Sequence, residues 1–208
     1  MRHCFCDNME HMKILMINGE AETGGIIEQA MQVIACCLKE NAISYDEIVV
    51  DHYHDQPCIA CGKCYRKRRC QQPGINEILE HLDEYDGLVV GGKVQYGKLN
   101  RKTISFLQRL MRCGNDHIAY IPTLPLVTMR KKAESDAWQK FMQLLSYNQS
   151  FIVNDEDHFV LSGKLGDLQE EEKNMLIRLM ELMVERMKQG RQPSDPFNPV
   201  EKLMDYVR

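Results

Sequence analysis

Four of the nine cysteines in this chain fall within thirteen residues, at Cys58, Cys61, Cys64 and Cys70. Their spacing is C-x2-C-x2-C-x5-C, and no other segment has a comparable density of reactive side chains. Thiolates are soft ligands that bind transition metals and inorganic clusters. Three cysteines at every third position can wrap a small inorganic group from one side, and the fourth can close it. The cysteine loop (residues 58–70) is therefore predicted to hold a metal centre.

Three interpretations of the cysteine loop stay open. Its spacing is close to the bacterial ferredoxin pattern, in which thiolates hold iron–sulfur clusters. Zinc usually takes two C-x2-C pairs, or one pair plus histidines, with a longer insert between them. His52 and His54 lie near enough in sequence to complete such a zinc site, and the thiols could also be free of metal. The short step from the second cysteine to the third favours the cluster.

The composition is that of an ordinary globular domain. The chain has 208 residues, 44% of them hydrophobic, and its net charge of −4 argues against a nucleic-acid binder. No apolar run approaches the ~20 residues of a membrane span. Because no secretory signal is recognisable, we expect a cytoplasmic protein whose thiols serve metal binding or redox chemistry. We expect a flexible leader over residues 1–12, one domain over 13–190 and a tail over 191–208.

Apolar strand patterns alternate with helical patterns along the domain. Strands are predicted at residues 13–18, 46–50, 87–91, 124–128 and 150–153, and helices at 26–40, 75–82, 99–112, 137–147 and between Asp167 and Gly190. This alternation predicts an α/β fold, a doubly wound parallel sheet of five strands with helices on both faces. Such sheets bind ligands beyond the carboxyl ends of their strands. We expect the loops after the first, third and fourth strands to bind ligands there, and the cysteine loop to lie at the same edge.

Three motifs, in this order, resemble those of the flavodoxin-like NADPH-dependent FMN reductases, and within them the iron–sulfur flavoproteins. They are residues 13–19, residues 57–64 with Cys70, and residues 91–97. The resemblance covers about residues 13–190. It implies a flavodoxin-like fold, bound FMN, a homodimer or homotetramer, and NAD(P)H or a protein as electron donor. It also implies a four-iron four-sulfur cluster on the cysteine loop, and it identifies no catalytic side chain.

The resemblance further implies which loops would hold FMN. The phosphate would lie against the loop after the first strand, and the flavin ring against the segment after the third. The implied cofactor-binding residues are Gly19, Glu20, Thr23, Gly24 and Gly25 in the first loop and Gly92, Lys93, Val94, Gln95, Tyr96 and Gly97 in the second.

The first loop carries two carboxylates, Glu20 and Glu22, where relatives have a serine and an arginine. A carboxylate about 5 Å from a phosphate charge costs roughly 3 kcal/mol at an effective dielectric constant near 20. This corresponds to more than about a hundredfold in affinity, whereas the helix N-terminus returns only ~1 kcal/mol. Repulsion therefore dominates unless both acids turn outward. Lys93, Lys98 and the basic run 130–132 are the candidates for compensating charge.

Two functional hypotheses follow. The first is an NAD(P)H-dependent, FMN reductase-like oxidoreductase that transfers electrons through an iron–sulfur cluster on the cysteine loop. The second is a flavodoxin-like protein that has lost FMN and serves as a binding or regulatory module stabilised by zinc or a cluster. The cysteine set favours the first hypothesis, and the carboxylates of the first loop favour the second.

Overall fold

The computed structural model describes residues 12–20, 23–53, 56–67, 69–114, 117–129, 135–148, 150–153, 160–162 and 166–191. The predicted leader up to residue 11 and the predicted tail beyond residue 191 lie outside these described residues. The described residues form one sheet with a hydrophobic core on each of its faces. No helix among them has the length and apolar character needed to cross a bilayer.

The sheet has the strand order of a flavodoxin-like fold. Its strands are β1 (Lys13–Asn18), β2 (Ser44–Val49), β3 (Gly87–Gln95), β4 (Lys98–Leu99), β5 (Pro122–Thr128), β6 (Phe151–Ile152) and β7 (Val160–Leu161). The main path runs β2-β1-β3-β5-β6, and each of its pairs is parallel. The predicted five-stranded doubly wound sheet is therefore confirmed. Two short strands are added to it, β4 antiparallel to β3 and β7 parallel to β5.

Helices cover both faces of the sheet, as the alternating pattern predicts. They are α1 (Ile26–Glu40), α2 (Cys64–Lys67), α3 (Asn76–Glu80), α4 (Arg101–Cys113), α5 (Ser135–Leu145) and α6 (Glu170–Gln189). Side chains of α1 and α6 share one core, and those of α3, α4 and α5 share the other. Helix α6 begins at Glu170, three residues after the start of the predicted range at Asp167, because Gln169 and Glu172 form the capping box.

Strand β3 continues beyond its predicted end at residue 91, so the prediction of a loop over residues 92–95 is wrong. The strand extends to Gln95 and returns as β4 through a two-residue turn at Tyr96 and Gly97, whose φ angles are 53° and 72°. Such a turn with two positive φ angles joins tight hairpins. Val94 and Leu99 are paired across the hairpin, and both are buried. Burial of this apolar pair explains why the chain stays extended here.

Close backbone contacts hold the carboxyl ends of β1 and β3 together. The amide of Gly19 donates to the carbonyl of Gly91 at 3.0 Å, and Thr103 Oγ1 donates to the carbonyl of Gly19 at 2.9 Å. Gly91 also lies directly beneath α1, since a Cβ at this position would be 2.3 Å from Ile27 Cγ2. Helix α1 can approach the sheet this closely only because position 91 lacks a side chain.

We predict that Gly91→Ala lowers the free energy of unfolding by about 1–3 kcal/mol, because the new methyl group overpacks the contact with Ile27. Urea titration followed by circular dichroism measures the change. Gln95→Ala is the matched control, since Gln95 is exposed on the same strand and should change stability by no more than about 0.5 kcal/mol. Equal unfolding midpoints for the two variants would contradict the prediction.

Candidate functional site

Five cysteine side chains line one pocket beside helix α4. Four belong to the cysteine loop and are the predicted Cys58, Cys61, Cys64 and Cys70, and the fifth is Cys113, the last residue of α4. Arg109 and Arg112 complete the helical wall of this thiol pocket, which encloses about 370 Å³ including space open to solvent. The structure therefore brings the four predicted thiols together and adds one that the sequence analysis missed.

Cys113 differs from the other four thiols because it is buried in the protein core, with 6% of its surface exposed. Its thiol lines the same pocket as those of Cys64 and Cys70. Burial raises the pKa of the Cys113 thiol far above its ordinary value, and the nearby Cys70 and Cys64 raise it further. Cys113 is therefore a neutral S–H group beside two other sulfurs. Its position on the buried face of a helix resembles ordinary core packing, so no spacing motif could identify it.

Arg109 clamps the cysteine loop onto α4. Its side chain is buried, with 2% of the residue exposed. The guanidinium donates to the carbonyl oxygen of Gln56, before the loop, at 3.5 Å. It also donates to the carbonyl oxygens of Gln72, at 2.8 Å, and Pro73, which both follow the loop. Its Nε is buried and has no hydrogen-bond partner among the described residues. A positive charge with one unused donor therefore lines the thiol pocket.

Local interactions give the cysteine loop its shape. Ala60 and Gly62 have φ angles of 51° and 68°, so the chain turns sharply between the first three cysteines. Asn76 accepts the amide of Cys70 at 2.9 Å and donates to its carbonyl at 3.1 Å. Arg69 pairs with Glu80 on the outer surface at 3.1 Å. These contacts fix the last cysteine against the start of α3 and leave the first turn accessible.

The thiol pocket does not lie at the carboxyl edge of the sheet, so that prediction is wrong. Helix α4 begins near the carboxyl end of β3 and runs back toward the amino end of β5. Thr103 near its start contacts Gly19, and Cys113 comes ten residues later. At 1.5 Å per residue, these two positions are about 15 Å apart along the helix. The chain after β2 follows α4 from its first turn, where Asp51 pairs with Lys102 near the carboxyl edge, to its last turns, where the thiols lie.

The donor set of the thiol pocket fits an iron–sulfur cluster, since it consists of thiols beside a buried cation. Within the described ranges, no three or more His, Cys, Asp or Glu side chains already stand in a metal-coordinating arrangement. Of the two histidines proposed for zinc, His52 is exposed and does not line the pocket. His54 lies outside the described residues. Of the predicted metal ligands that the structure describes, only the cysteines line this pocket.

The β1–α1 loop (residues 19–25) is filled by its own glutamate. The side chain of Glu20 is only 2% exposed, and its Oε1 pairs with Nζ of Lys93 at 3.2 Å. The other carboxylate oxygen accepts the amide of Ile27 at 2.9 Å, in the first turn of α1. Gly25 makes the room for this arrangement, because a Cβ there would lie 2.2 Å from Glu20 Oε2. The carboxylate therefore occupies the space at the N-terminus of α1.

A second carboxylate binds the same loop. Glu28 accepts the amide of Gly24, while the amide of Glu20 donates to Asn18 Oδ1 at 2.9 Å. Thr23 is exposed, and the other predicted repulsive acid, Glu22, lies outside the described residues. Because the amides of Gly24 in the loop and Ile27 in α1 already have carboxylate partners, the described loop does not fit the phosphate of FMN.

The predicted ring-binding segment is part of the β3–β4 hairpin. Gly92, Lys93, Val94 and Gln95 belong to β3, and Tyr96 and Gly97 form the turn. Tyr96 is fully exposed, so its ring is available on the surface. Lys93 is one of the candidates for compensating charge, and its ammonium pairs with the Glu20 carboxylate. Lys98 is exposed on β4, and the basic run 130–132 lies outside the described residues.

Two curated archaeal proteins are similar to this chain. An iron–sulfur flavoprotein of Methanocaldococcus jannaschii is 27% identical over 103 residues, which are 47% of this chain and 51% of that protein. An iron–sulfur flavoprotein of Archaeoglobus fulgidus is 27% identical over 119 residues, which are 56% of this chain and 59% of that protein. The chain thus spans between half and three fifths of the curated relatives that it matches.

Structural and family comparisons agree with the strand order. Oxidised flavodoxin 1 from Bacillus cereus superposes with a TM-score of 0.54 and 15% identity, covering 83% of this chain and 97% of that one.

A family model described as NADPH-dependent FMN reductase matches residues 12–163. This stretch is well over half of the chain and contains both the β1–α1 loop and all five thiols of the pocket. The chain therefore belongs to the NADPH-dependent FMN reductase family.

Proposed function

We propose that this chain is an electron-transfer oxidoreductase that carries an iron–sulfur cluster in its thiol pocket. The observation that carries the proposal is the convergence of five cysteines, from a loop and a distant helix, on one pocket with a buried arginine. Sulfur-only donor sets are typical of iron–sulfur clusters and of structural zinc. The two similar archaeal proteins, both iron–sulfur flavoproteins by name, support the cluster.

The four thiols of the cysteine loop are the proposed ligands, and Cys113 has a different role. When bound, a four-iron four-sulfur cluster supplies reversible one-electron chemistry. Cys113 is the last residue of α4, and its thiol lines the pocket together with those of Cys64 and Cys70. Hydrogen bonds donated to ligand sulfurs stabilise their negative charge and raise a reduction potential. Cys113 is therefore proposed as a hydrogen-bond donor that tunes the centre.

Arg109 is the proposed positioning residue of the pocket. A guanidinium taken out of water is stable only when acceptors or anions replace its hydration. Three backbone carbonyls satisfy part of this requirement and at the same time fix the cysteine loop. The buried Nε lacks a partner among the described residues, and thiolates in the pocket would supply the missing negative charge. Arg109 would thus both shape the pocket and stabilise anionic sulfur.

Membership of the family supports a flavin nucleotide and NAD(P)H as electron partners. The β1–α1 loop and the β3–β4 hairpin, where such ligands would bind, lie at the carboxyl edge of the sheet. The thiols lie about 15 Å away from that edge along α4. Since the described β1–α1 loop does not fit a phosphate, no step is assigned to FMN, and the thiol pocket is the proposed redox site.

One observation favours a second function. The buried Glu20 carboxylate closes the place at which flavodoxin-like proteins hold a phosphate. This favours a protein without flavin, in which the metal centre stabilises a binding or regulatory module. The electron-transfer function requires a redox-active metal, whereas the second function is compatible with zinc.

Anaerobic purification followed by an absorption spectrum and assays of iron, acid-labile sulfide, zinc and flavin separates these functions. A brown protein with iron and labile sulfide, reducible by dithionite, supports electron transfer. A colourless protein with zinc supports the metal-stabilised module. Protein that contains neither iron nor zinc, even after reconstitution with iron and sulfide, would refute both functions.

We predict that Cys64→Ser removes most of the bound iron, whereas Cys113→Ala retains it. Loss of a ligand thiolate destroys the cluster site, but loss of Cys113 removes only a hydrogen bond to ligand sulfur. The reduction potential of Cys113→Ala should be more negative than that of the wild type. Cys113→Ser is the matched control, because its hydroxyl still donates, and its potential should lie between the two. Iron loss from Cys113→Ala would instead identify Cys113 as a ligand.

We also predict that Arg109→Met weakens iron retention by about 10–100-fold, as expected when an outer partner of metal ligands is lost. Competition with a chelator measures the affinity, and circular dichroism checks the fold. Arg109→Lys keeps the positive charge but lacks the planar guanidinium group, so its iron affinity should lie between those of Arg109→Met and wild type. Arg66→Met removes an exposed charge from the same loop and serves as control. A wild-type affinity in Arg109→Met would exclude the proposed role.

A further inference from the structure

The N-terminal end of α1, next to the β1–α1 loop, is where a sheet of this strand order binds the anionic part of a nucleotide. In doubly wound sheets, phosphate groups bind at the first βα loop, where helix amides and the helix dipole attract negative charge. Helix α1 has 15 residues and begins immediately after Gly25, so its N-terminus has the full partial positive charge of a helix. Lys93 adds a cation at the same place. The site therefore has the charge of an anion-binding site.

The anion at this site belongs to the chain itself. Glu20 directs one carboxylate oxygen to the amide of Ile27 and the other to the ammonium of Lys93. A phosphate held by this loop would need these same donors. One carboxylate therefore uses both the helix amide and the neighbouring cation that a ligand would require.

Several residues are arranged around the Glu20 carboxylate. Gly25 is needed because any side chain there would collide with the carboxylate. Asn18 fixes the backbone of Glu20 through its amide, and Thr103 holds the carbonyl of the preceding Gly19. With only 2% of its side chain exposed, Glu20 is not a surface acid that happens to lie near a helix.

Displacement of Glu20 would be unfavourable. If the carboxylate left, the Ile27 amide would lose its hydrogen-bond acceptor and Lys93 would lose this ion pair. If it stayed, a phosphate about 5 Å away would be repelled at an effective dielectric constant near 20, by an amount equivalent to more than about a hundredfold in affinity. A flavin without a phosphate meets neither penalty.

We propose that Glu20 is an internal substitute for the 5′-phosphate of a flavin nucleotide, so that this chain selects riboflavin over FMN. Recognition at the carboxyl edge then depends on the flavin ring and the uncharged ribityl chain. This inference does not depend on the thiol pocket, and the iron content and the flavin affinity can be measured separately in the same samples. It assigns a specificity-determining role to Glu20, with Lys93 as its counter-ion.

Quenching of flavin fluorescence tests the proposal on the full chain, with riboflavin and FMN titrated separately. Wild type should bind riboflavin more tightly than FMN. Glu20→Ser removes the internal anion together with its ion pair to Lys93, so FMN affinity should rise by about a hundredfold while riboflavin affinity changes little. Glu20→Gln preserves the shape of the side chain without its charge and should give a smaller gain in the same direction. Adding Lys93→Met to Glu20→Ser should abolish most of the gain.

Glu40→Gln is the matched control, because it removes an exposed carboxylate at the opposite end of α1. It should change FMN affinity much less than Glu20→Ser. Inorganic phosphate is a second probe that needs no flavin site, and it should raise the melting temperature of Glu20→Ser but not of wild type. Circular dichroism establishes that each variant is folded.

Two outcomes would overturn the proposal. One is a wild-type protein that binds FMN as tightly as riboflavin or more tightly. The other is a folded Glu20→Ser and Glu20→Gln pair that gains neither FMN affinity nor stabilisation by phosphate. Protein that contains no iron but binds riboflavin more tightly than FMN would contradict only the proposed function of the thiol pocket. Failure of the two proposals can therefore be told apart.

Discussion

A carboxylate that is removed from water must be compensated, and the compensation of Glu20 determines the arrangement of the carboxyl edge of this sheet. The ion pair with Lys93 joins the β1–α1 loop to β3, and the hydrogen bond from Ile27 joins it to α1. Buried ion pairs contribute little net stability, because desolvation offsets most of the attraction. Their better-documented value is conformational specificity. Gly25, which must lack a side chain here, is a consequence of the same carboxylate.

Helix α4 runs between the two sites proposed above, the carboxyl edge of the sheet and the thiol pocket. Its first turn holds the carbonyl of Gly19 through Thr103, and its last turns carry Arg109 and Cys113 in the wall of the thiol pocket. A rigid helix of thirteen residues fixes the separation between these ends. A redox centre in the thiol pocket and a ligand at the carboxyl edge would therefore lie apart within one chain. Electron exchange between them would depend on that fixed geometry.

The sheet order and most elements could be predicted, because buried parallel strands are nearly continuous apolar runs and the helices between them are amphipathic. The end of β3 could not, since the paired burial of Val94 and Leu99 arises only once the hairpin forms. Cys113 was missed because it is far from the cysteine loop in sequence and resembles a core residue. The position of the thiol pocket was also missed. Strand order alone does not reveal that the chain after β2 follows α4 away from the carboxyl edge of the sheet.

The tight turn at Tyr96 and Gly97 also has a kinetic consequence. Loops that close over a bound molecule slow both its entry and its release, because opening must precede exchange. A two-residue turn held by paired strands has no slack for such a movement. On this side of the carboxyl edge, a small molecule would meet preformed walls and an exposed tyrosine ring. Its association should be limited mainly by collision and orientation, and its residence time by contact strength rather than by a gating motion.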